Sequence, residues 1–263
     1  MRSHRPRPRL AHLLLPAALL AAALLAACAS APRPPTDPLA EAGQLVLVVA
    51  PDWDAPAGRL QAFERVHGRW VAHGPAFDVS LGRNGSAWGE GLQPPPADDG
   101  PHKREGDGRS PAGVFAIGIA FGYAPQFATG LDYRQMQADS WCVDVSGSPL
   151  YNRIVDAGQV GQAAVAGASE HMRLDLYDQG DIRYREGFVI GHNAHGLPGL
   201  GSCIFAHLRR HPDEPTAGCT SMEPANMDAL LHWLDAGRQP RFVLLPRAQY
   251  ARLRADWSLP PAP

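Results

Sequence analysis

Cys219 sits in Pro215-Thr-Ala-Gly-Cys-Thr220, where Gly218 lets the backbone pass close to a ligand and small neighbours leave the sulfur accessible. A thiol attacks as its thiolate, and an ordinary thiol pKa of about 8.5 means that it needs a base or a cation beside it near neutral pH. His207 is the nearest upstream base. It ends the apolar run Cys203-Ile-Phe-Ala-His207, and in a strand the alternation of side chains puts Phe205 and His207 on one face. A strand presenting an imidazole beside a loop presenting a thiol makes a nucleophile–base pair. The chain holds 11 histidines, so this spacing alone leaves two plainer roles open: Cys219 as half of a disulfide, and His207 as a hydrogen-bonded strand residue.

A second grouping, His192, His195, His207 and His211, has the ligand type of a zinc hydrolase. Its spacing fits no helical His-Glu-x-x-His pattern, and His192-Asn-Ala-His195-Gly lies in a Gly- and Pro-rich stretch. The reading therefore assigns no metal and no cofactor. His192 follows the apolar run Phe188-Val-Ile190 and is expected to line the cleft, while His211 is expected on the surface. Asp98, Asp99, Asp107, Asp213 and Glu214 could be paired carboxylates of a glycosidase, but their Gly and Pro neighbours make them turn residues. Trp88 and Trp141 read as core aromatics rather than substrate platforms.

These residues need a scaffold, and the pattern around them is that of strands. Gln44-Leu-Val-Leu-Val-Val-Ala50, bounded by Gly43 and Pro51, reads as a buried first strand, and Arg59 to Glu64, Trp70 to Ala72 and Phe77 to Leu81 continue in the same style. Gly and Pro punctuate the chain regularly, with no strand–helix alternation, so the expected fold is mostly β: an antiparallel sandwich or barrel with one or a few short helices. Gly85 to Gly113 reads as a long surface loop shaping a cleft. One helix is well marked: Pro224 suits its first position, Met227, Leu230, Leu231 and Leu234 form one stripe, and Gly237 stops it. Arg241 to Pro246 makes a last strand, and residues 247–263 read as a peripheral tail.

The N-terminus joins four arginines to an apolar run from Leu10 to Ala27, the layout of a secretory signal. The run ends in Leu25-Ala-Ala-Cys28, which resembles a bacterial lipoprotein box and implies a signal over residues 1–28 with Cys28 carrying the lipid. Cleavage without lipidation, or an uncleaved membrane helix, are the alternatives. Ala29 stands where many inner-membrane lipoproteins carry Asp, so the resemblance implies a periplasmic protein lipid-anchored at the outer membrane rather than the inner one. Residues 29–43 are Pro-rich and suit an extended tether, leaving about two hundred residues for one domain over 44–246. A net charge of −2 gives no broad basic face and argues against a nucleic-acid partner. Beyond Cys28 stand Cys142, Cys203 and Cys219, and an oxidising compartment pairs two and leaves one over.

Thr216-Ala-Gly-Cys219 resembles the Ser/Thr-x-Gly-Cys motif of L,D-transpeptidases of the YkuD type, which also carry a His at the end of a preceding strand. Upstream, Glu105-Gly-Asp-Gly-Arg-Ser-Pro-Ala-Gly-Val-Phe115 resembles a segment of the same family that leads from a loop into a strand beside the catalytic sheet. Weaker similarity runs through Trp141 to Asn152 and Gly201 to His207, so the resemblance spans roughly Gln44 to Pro246 and is that of a divergent branch. It implies cysteine chemistry on peptidoglycan stem peptides: the Cys219 thiolate attacks a diaminopimelate carbonyl, a thioester forms, and an amine or water releases it. His207 would move the proton, backbone N–H groups near Gly218 and Cys219 would hold the oxyanion, and Thr216, Thr220 and His192 would shape the substrate cleft. On this reading Cys142 and Cys203 pair and Cys219 stays free, although sequence alone does not fix the connectivity. Two departures stand out: Ala217 replaces a second His, and Thr220-Ser221 replaces the apolar residue and Arg that follow the Cys. Arg109, Arg209 and Arg210 are the candidates for the missing charge. A binding module that keeps the fold without the chemistry is the remaining alternative.

Overall fold

The computed structural model describes Met1, residues 37–94 and residues 100–263. Residues 2–28 of the expected signal, Cys28 among them, and most of the expected tether lie outside the described residues, as do Asp98 and Asp99.

The chain is mostly β, as its sequence pattern predicts. The main sheet contains β1 (Gln44–Ala50), β2 (Ala57–Val66), β3 (Arg69–Ser80), β4 (Ser86–Trp88), β5 (Ser110–Gly122), β6 (Tyr133–Gln135), β10 (Glu186–Ile190), β11 (Phe205–Leu208), β12 (Thr220–Met222) and β13 (Arg241–Pro246). Its strand order is β10-β11-β12-β3-β2-β1-β13-β5, with β4 and β6 added beside β5. Because β10 also pairs with β5, the sheet closes into a barrel and removes its open edges. Most pairings are antiparallel, but β1–β13, β11–β12, β4–β5 and β5–β6 are parallel. Nothing in strand-by-strand periodicity announces them, because direction is set by where a connection crosses.

Every residue of β1 is buried, which is why its sequence is a continuous apolar run and not an alternating one. One face fills the barrel; the other is covered by the C-terminal helix α4 (Arg247–Leu253), which packs on β1 and β13. The segment expected to be a peripheral tail is therefore part of the core: Tyr250, Trp257 and Leu259 are at most 7 % exposed. Without it the outer face of β1 would meet water, a burial worth about 25 cal/mol per Å² of apolar surface. A second correction concerns the tether, since Leu39 and Ala42 are buried and the Gly43 N–H donates to the Arg238 carbonyl at 2.7 Å, so the domain begins by Asp37.

Gly85 to Gly113 is not simply a surface loop either. Ser86, Ala87 and Trp88 form the buried strand β4 beside the start of β5, and Lys103 is 5 % exposed. Three residues are too few to show a period, which is why the strand is invisible in sequence. The expected helix is α3 (Pro224–Trp233), with Pro at its start and Met227, Leu230 and Leu231 buried against β10 and β11. Its last residue is Trp233, so it ends before Gly237.

A smaller sheet lies outside the barrel wall, built from β7 (Ser140–Cys142), β8 (Ile154–Asp156) and β9 (Glu170–His171) with β7 in the middle. Two short helices accompany it, α1 (Ala157–Val160) and α2 (Leu174–Tyr177). A disulfide from Cys142 on β7 to Cys203, just before β11, ties this sheet to the barrel.

Candidate active site

Cys219 ends the loop that crosses from β11 to its parallel neighbour β12. The loop is fixed at several points. Thr216 pairs its backbone with Leu81 and Arg83, its Oγ1 accepts from the Gly218 N–H at 3.0 Å, and the same hydroxyl donates to the Cys219 carbonyl at 2.6 Å. Ser110 Oγ at the start of β5 donates to that carbonyl as well, at 3.0 Å. Gly218 has φ +149°, and a Cβ there would meet the Arg109 carbonyl oxygen at 2.9 Å, so the position needs glycine for both conformation and space. The two segments that carry the sequence resemblance, around Ser110 and around Cys219, are thus in direct contact.

His207 comes from β11, where alternation separates two environments. Ala206 and Leu208 join the barrel core, while Phe205 packs in a second apolar cluster with Phe121, Tyr184, Cys142, Cys203 and Cys219. His207 is 4 % exposed and stands edge-on to Tyr184, centroids 5.3 Å apart. Its Nδ1 contacts the Leu208 carbonyl oxygen at 2.7 Å. A carbonyl only accepts, so Nδ1 carries the proton and Nε2 keeps the lone pair.

Cys219 and His207 line one cavity of about 570 Å³. With Cys142 and Cys203 joined, Cys219 is the free thiol among the described residues. Its Sγ accepts from the Phe205 N–H at 3.3 Å and points its own proton to the Cys203 carbonyl at 3.5 Å, and no hydrogen bond joins it to His207. Burial pushes the thiol up to about 12, helped by the negative Glu170. Burial also pushes His207 down to about 4, against the opposing pull of the Leu208 carbonyl. The resting pair is therefore neutral thiol and neutral imidazole, not a preformed ion pair. The Gly218 N–H is spent on Thr216, which leaves the Cys219 N–H without a hydrogen-bond partner among the described residues and available to a developing oxyanion.

The other expected cleft residues divide. Thr216 lines the cavity. Thr220 does not: it is 1 % exposed on the opposite face of β12 from Cys219 and Ser221, and Ser221 takes the wall position. His192 is also away from the wall, buried under Gly89 and edge-on to Phe115 at 5.9 Å, with its Nε2–H donated to the Leu200 carbonyl at 2.9 Å. Among the three candidate arginines only Arg209 reaches the cavity, and Glu223 holds it at 3.0 Å. Arg109 turns to Trp53, Ser86 and Asp54, and Arg210 is held by Glu214 and Asp181.

Sequence reading missed Arg83, Arg183, Glu170 and Tyr184, all of which line the cavity. Arg83 is exposed, its backbone N–H donates to the Thr216 carbonyl at 2.8 Å, and its guanidinium makes no ion pair among the described residues. None sits in a motif, and each reaches the cavity only because the fold brings remote segments together. Lys103, also in the wall, is tied to Asp107 at 2.6 Å.

No protein-family model matches the chain, and neither does any curated protein or solved structure compared with it.

Proposed function

We propose that the protein is a cysteine acyltransferase or peptidase of the L,D-transpeptidase type, acting on peptidoglycan stem peptides through a thioester on Cys219. The observation that carries this reading is the shared cavity: a free thiol and a neutral imidazole line it together, while the other two described cysteines are consumed in a disulfide. The contact between Ser110 and Cys219 supports it further, since it joins the two segments that resemble the family.

The thiol is parked until a substrate arrives. A peptide carbonyl entering the cavity displaces Sγ from the Cys203 carbonyl, and His207 Nε2 takes the thiol proton as sulfur attacks. The imidazolium then donates to the leaving amine, while the Cys219 N–H meets the oxyanion. This is general-base activation at the moment of attack, and the chemistry needs no cofactor. In the cell we place the protein in the periplasm, held through lipidated Cys28 at the outer membrane, where residues after the anchor let the domain reach the peptidoglycan layer. Peptidoglycan stem peptides and the membrane are its partners; a nucleic acid is not.

A second reading, peptide binding without turnover, draws on the high thiol pKa. Full-length protein in detergent, incubated with muropeptides as wild type and Cys219→Ala, separates the two. Crosslinked, exchanged or shortened products that disappear in the variant are expected; an unchanged muropeptide pool with wild type favours the binding module.

A further inference from the structure

The cavity contains a half-buried acid that formation of the thioester does not use. Glu170 on β9 lines it, with Oε1 accepting from the Tyr184 hydroxyl at 2.6 Å, and the Tyr184 ring in turn stands edge-on to His207. No cation pairs with Glu170 among the described residues. Arg183, the cation nearest in effect, is held by Asp181 at 2.7 Å and by Asp178 at 3.5 Å. The other acid close by, Asp144, is bound to the Ser169 N–H at 2.9 Å and adds repulsion. A partly desolvated carboxylate without a counter-ion favours a cation beside it, and Glu170 meets the cavity where one could enter. His207, which lines the same cavity, is 4 % exposed with its Nε2 unpartnered by protein, so an imidazole nitrogen and a carboxylate without a counter-ion both meet this space.

We infer that Glu170 holds the ammonium group of the amine that takes the acyl group from Cys219, and so sets the preference of the site for an amine over water. The inference rests on the acyl-transfer reading above. The ammonium gives one proton to the Glu170 carboxylate, which passes it to solvent. The freed amine nitrogen bonds to the thioester carbonyl carbon as the carbon–sulfur bond breaks, and its second proton goes through His207 Nε2 to the Cys219 thiolate. The products are an amide, the thiol and one proton. Burial raises Glu170 above the ordinary carboxylate range, which suits a group that must take a proton and give it back. The Tyr184 hydroxyl fixes the orientation of the carboxyl.

The test uses full-length protein with a disaccharide tetrapeptide as acyl donor and two competing acceptors, ethylammonium, which is charged near neutral pH, and hydroxylamine, which is not. The ratio of aminolysis to hydrolysis is read for wild type, Glu170→Gln and Glu170→Asp, with the acyl adduct on Cys219 followed by intact mass. A charged hydrogen bond lost on Gln substitution is expected to lower the ethylammonium ratio by about tenfold. The hydroxylamine ratio is expected to hold within about twofold, and Asp to recover part of the ethylammonium ratio. An equal fall for both acceptors, or no change for either, overturns the role of Glu170. Absence of any adduct on wild-type Cys219 overturns the acyl-transfer reading itself, and the inference with it.

Discussion

Cys219 and His207 are each made unwilling to carry charge by the same apolar surroundings. Phe205, Phe121, Tyr184 and the disulfide enclose the sulfur, and no cation is close enough to outweigh that desolvation. Alkylation by iodoacetamide follows the thiolate fraction, so its rate on Cys219 is expected to rise about tenfold per pH unit from neutrality to beyond pH 10 without levelling. A plateau around neutral pH would reveal a thiolate–imidazolium pair and contradict this picture. At this scale the sequence was most informative: the thiol, its Gly218 neighbour and the histidine are visible as types and spacing. It misled where a residue's side of a strand decided the outcome. Thr220 neighbours Cys219 in the chain but faces the barrel, and Ser221, two positions on, shares the cavity.

Among the elements, the small sheet is the one that completes the site. It supplies Glu170 to the cavity wall, the segments flanking it add Asp144 and Ser169, and it is stapled to the barrel through Cys142–Cys203, whose loop spans a sequence separation of 61 residues. Closing a loop of that length removes unfolded-state entropy worth about 4 kcal/mol. The Cys142→Ser, Cys203→Ser double variant is accordingly expected to lose about that much stability in a denaturant titration, a drop of roughly 10 °C in Tm. Loss of less than about 1 kcal/mol would mean that the sheet docks without its staple. The long strands β1 and β13 and the helix α3 are legible because periodicity and punctuation extend over a whole element. Strands of two or three residues, β4, β7 and β9, carry no period, and they exist because tertiary pairing holds them. Glu170 lies on one of these, which is why its role was not accessible from sequence.

Across the whole molecule, two buried histidines tie stability to pH. His192 and His207 both ionise at about 4 in the folded chain, because burial opposes their charge, against about 6.5 when unfolded. A depressed pKa contributes stability that is intact above the unfolded value and is lost as pH falls through the folded one. Unfolding free energy is therefore expected to decline between about pH 6.5 and pH 4, by on the order of 3 kcal/mol for each imidazole, with His192→Gln flattening part of the slope. Glu170, raised by burial, works in the opposite sense and costs stability as pH rises through its range. Stability that held constant down to pH 4 would show that neither imidazole is buried neutral. The barrel as a class was legible from strand density and turns; its closure through β5 and β10, and the return of residues 247–263 over β1, were not, because both depend on contacts between segments far apart in the chain. The central claim is that Cys219 carries an acyl group during the reaction. Intact mass of the full-length protein after brief mixing with a tetrapeptide muropeptide, followed by mapping of the modified peptide, tests it most directly. A thioester on Cys219, absent in Cys219→Ala and slow to form in His207→Ala, is the expected result; products that accumulate with no adduct on Cys219, or that persist in Cys219→Ala, would contradict it.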